Sequence, residues 1–223
     1  MSGTLSCETN YSYADLTMSY AGNRLQGVTN TGTEDTGTFS YSYDSSGNLT
    51  TDGRNRLEIQ NNVLNLPMRV EQNGTMGGTN TMTYTYLGDG TRVAARKGGS
   101  SSRAGMRYRG SFVYDVDASG TERLQSIAVP TGRLIAVSGT AGAVSFESDG
   151  FITDHLGNVA VVVNLSASSS TSTNNAILEQ NEYTPFGTKL SVSGLKTQAA
   201  NRWRYAGKEE QDTCIRGGKA SVL

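Results

Sequence analysis

The sequence predicts an all-β protein built from antiparallel hairpins, with essentially no long helices. Three observations predict it. Aromatic and small polar residues alternate in Phe39-Ser-Tyr-Ser-Tyr43 and again in Met82-Thr-Tyr-Thr-Tyr86, which places them on opposite faces of a sheet. Each of these runs enters a glycine-bearing turn, Asp44-Ser-Ser-Gly-Asn48 or Leu87-Gly-Asp-Gly90, and then returns through a strand-like stretch. No stretch of a dozen residues keeps apolar side chains at helical spacing without a Gly or a Ser/Thr/Asn cluster interrupting it.

The elements follow in order. Met18-Ser-Tyr-Ala-Gly-Asn-Arg-Leu25 is a loose first copy of the hairpin, with the same order of Tyr, Gly-Asn and Leu. Tyr41 through Leu49 is the clearest copy: Tyr41 and Tyr43 line one face, Asp44 opens the turn, Gly47 supplies a positive φ, and Asn48 can bond the turn backbone. The 82–90 copy comes next, and further strands are expected at 111–116, 124–129, 133–137, 143–146, 159–165 and 177–183. Spacing between tyrosine-to-glycine units is roughly 20–40 residues, an irregular internal repeat. A lone hairpin is marginal in water, so neighbours must stack to bury its apolar face. The polar stretches 98–102 and 166–175 read as exposed loops.

Composition fits this picture. Hydrophobic residues are 35% of the 223, Gly contributes 27 and Pro only 3, a balance suited to a turn-rich sheet with a thin core. Nineteen Lys and Arg against twenty Asp and Glu leave a net charge of -1, so no global field draws in nucleic acid or an anionic membrane. No apolar run reaches the ~20 residues of a membrane span, and the start of the chain lacks the basic and apolar regions of a secretory signal. Cys7 and Cys214 show no metal-binding spacing; they read as two separate thiols, with a disulfide as the alternative.

Three short signatures then occur in fixed order: Asp154-His155-Leu156-Gly157-Asn158, Tyr183-Thr-Pro185-Phe186-Gly187, and Asn201-Arg202-Trp-Arg-Tyr205-Ala-Gly207-Lys208-Glu209. Together with the Tyr-x-Tyr-Asp-x-x-Gly-Asn-Leu unit at 41–49, they resemble the RHS repeat-associated core domain and its preceding YD repeats. The resemblance covers about 11 through 212. It divides the chain into YD-repeat-like hairpins (1–97), a core segment (98–212) and a non-matching tail (213–223). It implies a β-ribbon spiralling into a shell that, in full-length bacterial members of the polymorphic-toxin type, encloses a C-terminal toxin or other effector. Such a parent would be secreted or displayed at the cell surface, and the partners implied are the remainder of the shell and the enclosed effector.

The sequence departs from that family after Asp212. Members continue into a Tyr-rich strand and an aspartate motif at which the core cuts itself, whereas residues 213–223 match neither. The chain therefore reads as C-terminally truncated. Cleavage of a peptide bond needs a placed acid or base, so this chain is expected to be non-enzymatic, with no catalytic, cofactor-binding or metal-binding residues and no cofactor.

Other residues invite chemistry and receive a structural reading instead. His155, the single histidine, has no nucleophile at a suggestive spacing and belongs to a turn. Phe186 beside Pro185 and Gly187 anchors a turn or stacks on a ligand. Trp203 and Tyr205, alternating across Arg204, suggest a strand with one aromatic face that packs on the ribbon or binds a sugar. Arg92, Arg96, Lys97, Arg103, Arg107 and Arg109 have no acid among them and read as a solvated hairpin that guards strand edges, with an anionic partner as the alternative. Glu209, Glu210 and Asp212 are adjacent rather than facing, which gives surface charge and not a glycosidase pair. Asp52-Gly53 and Asp89-Gly90 lack the repeated carboxylates of a calcium loop. Three functions fit these residues in decreasing order: a structural shell, a carbohydrate-binding or adhesin-like surface module, and a residual autoprotease. Open strand edges also point to self-association.

Overall fold

The computed structural model describes residues 15–32, 36–72, 80–98, 102–138, 144–166, 176–184, 187, 189–190, 194–196 and 201–209. They form fifteen strands: β1 Leu16–Ala21, β2 Arg24–Asn30, β3 Gly37–Tyr43, β4 Leu49–Asp52, β5 Leu57–Asn61, β6 Pro67–Gln72, β7 Thr81–Tyr86, β8 Arg92–Lys97, β9 Gly105–Arg109, β10 Phe112–Val116, β11 Glu122–Val129, β12 Gly132–Ser138, β13 Val144–Thr153, β14 Val159–Asn164 and β15 Ile177–Gln180. Every strand pairs antiparallel with its neighbours in sequence, giving one sheet in the order β1 to β15 that is not closed into a barrel. The fold class expected from the sequence is the one observed. The boundary placed at 97/98 falls between β8 and β9, and the sheet runs on through it.

The strands form where the alternation places them, with three differences. β13 runs from Val144 to Thr153 rather than stopping at Phe146, because Gly150 stays in register opposite Gly132 and packs beneath Val163 and Leu165. β15 ends at Gln180, short of the expected 183. β5 and β6 are strands although they carry no aromatic repeat to signal them in the sequence; β6 tolerates Pro67 because it is the first residue of the strand.

Hairpin chemistry repeats along the chain. In the turns 44–48, 62–66, 87–91, 117–121 and 154–158 the first residue's N–H donates to the fifth residue's carbonyl, and the fourth residue's N–H donates to the first residue's carbonyl, at 2.9–3.1 Å. The fourth position has positive φ in all five, 89° at Gly47 and 80° at Gly157, with Asn65 at 60° standing in for glycine. Glycine adopts that backbone freely and Asn is the side chain that tolerates it best. At 44–48 and 154–158 the opening Asp carboxylate also accepts the Asn N–H and Nδ2, at 2.6–2.9 Å.

Four of these turns, 44–48, 62–66, 87–91 and 154–158, lie on one end of the sheet, since each joins an odd strand to the following even one. The residue before a turn on this end reaches back to the strand start behind the previous one. Tyr43 Oη donates to the Leu25 carbonyl (3.0 Å), Asn61 Nδ2 to Leu49 (3.1 Å), Tyr86 Oη to Pro67 (2.9 Å) and Tyr183 Oη to Val159 (3.2 Å). The tyrosine of the repeat thus laces one hairpin to the next along a single rim.

Packing lies on one face of the sheet. Leu57, Ile59, Val70, Met82 and Ala95 are buried together, and Leu49, Tyr84 and Tyr108 pack against them. The cross-strand partners Ile59 and Val70, then Val70 and Met82, carry this row over three strands. Burying such side chains contributes about 1.5–3 kcal/mol each.

Candidate functional site

The three signatures of the core segment meet at the rim. Residues 204–208 close like the hairpin turns, with Arg204 N donating to the Lys208 carbonyl (2.8 Å) and Gly207 N to the Arg204 carbonyl (3.3 Å). Ala206 and Gly207 have φ of 50° and 62°, and Trp203 bridges Glu209. The Asn201–Glu209 signature is therefore a turn and not the continuous strand that Trp203 and Tyr205 suggested. Its positive-φ corner at Ala206 and Gly207 breaks the alternation.

This turn docks on the Asp154–Asn158 turn. Ala206 N donates to Asn158 Oδ1 (2.7 Å), and Val159 N donates to the Arg204 carbonyl (3.1 Å). Tyr205 meets Tyr183 edge to face at 5.8 Å. Gly187 lies beneath the Tyr205 ring, where a Cβ would come within 2.8 Å, so this glycine is dictated by the approach of the ring. Pro185, Phe186, Glu210, Asp212, Cys7 and Cys214 lie outside the described residues. His155, Leu156 and Lys208 are exposed.

Beneath the turn the buried groups are charged. Glu179, wholly buried on β15, pairs with Arg204 (2.5 Å) and Lys189 (3.2 Å), and accepts from Asn201 Nδ2 (2.7 Å). Asn201 Oδ1 in turn accepts the Trp203 N–H at 3.1 Å. Glu209 is also buried, which corrects its reading as surface charge: Arg92 of β8 donates to it at 3.0 Å, Tyr108 of β9 at 2.5 Å, and Arg202 lies 3.5 Å away. Burial, and then the Glu209 charge, push the Tyr108 hydroxyl well above its ordinary pKa. A further buried pair, Arg133 and Asp149, faces across β12 and β13 through two hydrogen bonds of 3.1 and 2.9 Å.

One short turn therefore contacts β8, β9, β14 and β15. In a flat sheet β8 and β15 are seven spacings, or about 34 Å, apart, beyond the reach of Arg204 and Glu209 from a single turn. The sheet curves around residues 201–209, which fasten it across the bend.

The basic hairpin is paired in part: Arg96, Lys97 and Arg103 are exposed, as a solvated hairpin requires, while Arg92, Arg107 and Arg109 meet acids. Arg107 and Arg109 both bind Glu122 of β11, at 2.6 and 2.7 Å. Arg92 lies over the rings of Tyr84 and Tyr108 at 5.6 and 5.3 Å besides its bond to Glu209. The acids that meet these arginines come from other strands, where a linear reading of 91–110 could not find them. Asp52 accepts from Asn55 N and Nδ2, at 3.1 and 2.7 Å, within its own turn. Among the described residues no three His, Cys, Asp or Glu side chains cluster as metal ligands, and no helix is long and apolar enough to cross a membrane.

Between the 129–132 turn and Trp203 lies a groove of about 300 Å³, lined by Pro130, Phe151, Val159 and Gly207 among others. Sequence reasoning missed Glu179, Arg133, Asp149, Arg92 and Tyr108 as parts of the rim. The available signal was a charged residue at an inward position of a strand, as Glu179 is opposite the wholly buried Val162.

No protein-family model matches the chain, and no curated protein sequence does. In fold it is similar to solved structures of TcdB2-TccC3-Cdc42 (TM-score 0.55, 14% identity) and TcdB2-TccC3 (TM-score 0.51, 15% identity), with 88% of this chain covered in each. The chain spans 11% of the length of those chains. The likeness supports an RHS-like β-shell fold without assigning a family.

Proposed function

We propose that this chain is a stretch of wall from an RHS-type β-shell, which in a longer secreted or surface-displayed bacterial protein encloses a C-terminal effector. It works by shape and burial. The observation that carries this reading is the uninterrupted fifteen-strand antiparallel ribbon, laced along one rim and curved around residues 201–209. The likeness in fold to TcdB2-TccC3-Cdc42 supports it. The test is limited proteolysis of a longer polypeptide that contains these residues: the effector region should resist protease until the shell is unfolded, and digestion as fast as that of the isolated effector would overturn the proposal.

Within this reading the chain catalyses nothing. The buried carboxylates Glu179 and Glu209 are both held by arginines, which suits fastening rather than proton transfer. Purified protein incubated for a day should show no discrete new fragment by mass spectrometry. A second reading, carbohydrate recognition, is favoured by the groove that Trp203 shares with Phe151 and Pro130. Glycan-array binding lost in Trp203→Ala with folding retained would establish it.

A further inference from the structure

A second polar feature lies away from the rim cluster, on the face of the sheet opposite the apolar core. Ser42, Thr51, Glu58, Glu71 and Thr81 follow one another through consecutive register pairs from β3 to β7. Glu58 and Glu71 are thus direct cross-strand partners, a placement in which like charges destabilise an antiparallel pair. Arg69, two residues along β6, binds Glu71 Oε1. Glu71 Oε2 accepts no hydrogen bond, although the side chain is only 2% exposed. Glu71 lines a cavity of about 250 Å³ together with Thr50, Thr51, Glu58, Gln60 and Arg69.

A buried carboxylate oxygen without a donor is costly, and two facing carboxylates call for positive charge between them. Two carboxylates and one guanidinium leave a local charge of -1. A ligand that brings a single positive charge and several N–H donors answers both needs at once. A divalent ion answers them poorly, because it would lie beside the Arg69 guanidinium and find only two acidic ligands where calcium takes six to eight oxygens. We propose that this cavity binds a primary alkylammonium group, of the kind a lysine side chain or a free amine carries. The ammonium lies against the exposed Glu58 at the mouth of the cavity and reaches Glu71 Oε2 at its floor by displacing the side chains that cover that oxygen.

The test titrates isotope-labelled protein with n-butylammonium chloride, Nα-acetyl-lysine methylamide and calcium chloride, and follows backbone amide shifts. Saturable shifts of the amides at 51, 58, 60 and 71 are expected with both amines. Glu71→Gln should weaken binding by about thirtyfold. Glu58→Gln, a surface change that leaves the core intact, should weaken it by about fivefold. Tighter binding of the lysine derivative assigns a polypeptide source, and equal binding assigns a free amine. Absence of saturable shifts, unchanged affinity in both variants, or saturation by calcium at lower concentration would overturn the proposal. So would a Thr81→Val variant that is destabilised while the amines have no effect, since that hydroxyl would then be the partner of Glu71.

Discussion

Across β5 to β8 the inward positions hold Leu57, Ile59, Val70, Met82 and Ala95, whereas from β12 to β15 inward positions of equal depth hold Arg133, Asp149 and Glu179. Both regions belong to one sheet, with no second layer of strands among the described residues, and each must cover a face that water would otherwise reach. The first does so with apolar side chains, whose attraction is non-directional and tolerant of small shifts. The second adds buried ion pairs to the buried Val159 and Val162 of β14, and such pairs are worth having only when geometry and further hydrogen bonds are complete. The ribbon is pinned in the second region. Apolar packing lets β5–β8 stack as repeats, while Glu179, Arg204 and Glu209 fix one turn at one place on the bend.

The largest expected effect follows from that contrast. Arg204→Ala removes the closest partner of a wholly buried carboxylate and should cost about 3–5 kcal/mol, read as a lowered urea midpoint. Met82→Ala in the apolar region should cost about 2–3 kcal/mol. A reversed order of the two would mean that the C-terminal turn is an accessory to the sheet and that the comparison is wrong.

A smaller effect depends on pH. Tyr108 donates to Glu209, and burial keeps its hydroxyl protonated above the ordinary 10.0. Its folded pKa is raised, so the stability it contributes is complete below pH 10.0 and is lost as the pH climbs beyond that value. Tyr108→Phe should cost about 1–3 kcal/mol at neutral pH and should flatten the alkaline decline measured by urea unfolding between pH 9 and 11. An unchanged alkaline slope in the variant would show that Tyr108 does not couple the turn to β9.

How much of this was legible in the sequence follows from the range of the interactions involved. The strands and turns are local: alternation in 39–43 and the Asp-x-x-Gly-Asn order at 44–48 and 154–158 specify period and corner within a few residues. The fold class could therefore be read directly. Strand β5, with Leu57 and Ile59 inward, is hard to see in the sequence because two apolar residues between turns make a weak signal. The rim cluster was illegible for a different reason. Glu209 meets Arg92 and Tyr108 across separations of 117 and 101 residues, and Glu209 in Gly-Lys-Glu-Glu-Gln has the composition of a solvated stretch. Only the curvature of the sheet brings these groups together, and curvature is a sum over many strand twists that no short motif encodes.

The smallest expected effect concerns the turns, which both regions share. Hydrogen bonds from Asn48 hold the Asp44 carboxyl below its ordinary 3.8. At Asp154 desolvation pushes upward, and the backbone and side-chain bonds from Asn158 outweigh it, so the carboxyl again lies below 3.8. A depressed folded pKa means that the contribution is present above pH 3.8 and is lost as the pH falls through the folded value, so acid should loosen these corners. Both carboxylates are open to solvent, which keeps the effect small. The effect should also be unequal. Asp44→Asn disturbs one hairpin among several laced by Tyr43, Asn61 and Tyr86, whereas Asp154→Asn disturbs the turn whose Asn158 carries Ala206 and whose following residue carries Arg204. At pH 5, where the wild-type carboxylates are ionised, amide exchange in Asp154→Asn should therefore be quicker than in wild type at Ala206 and Val159 as well as in the mutated turn, while in Asp44→Asn it should be quicker only near 44–49; both excesses should shrink as acid protonates the wild-type carboxyls. Equal, local responses in the two variants would show that the Asp154 turn is one more corner of the ribbon and not the seat of the C-terminal turn.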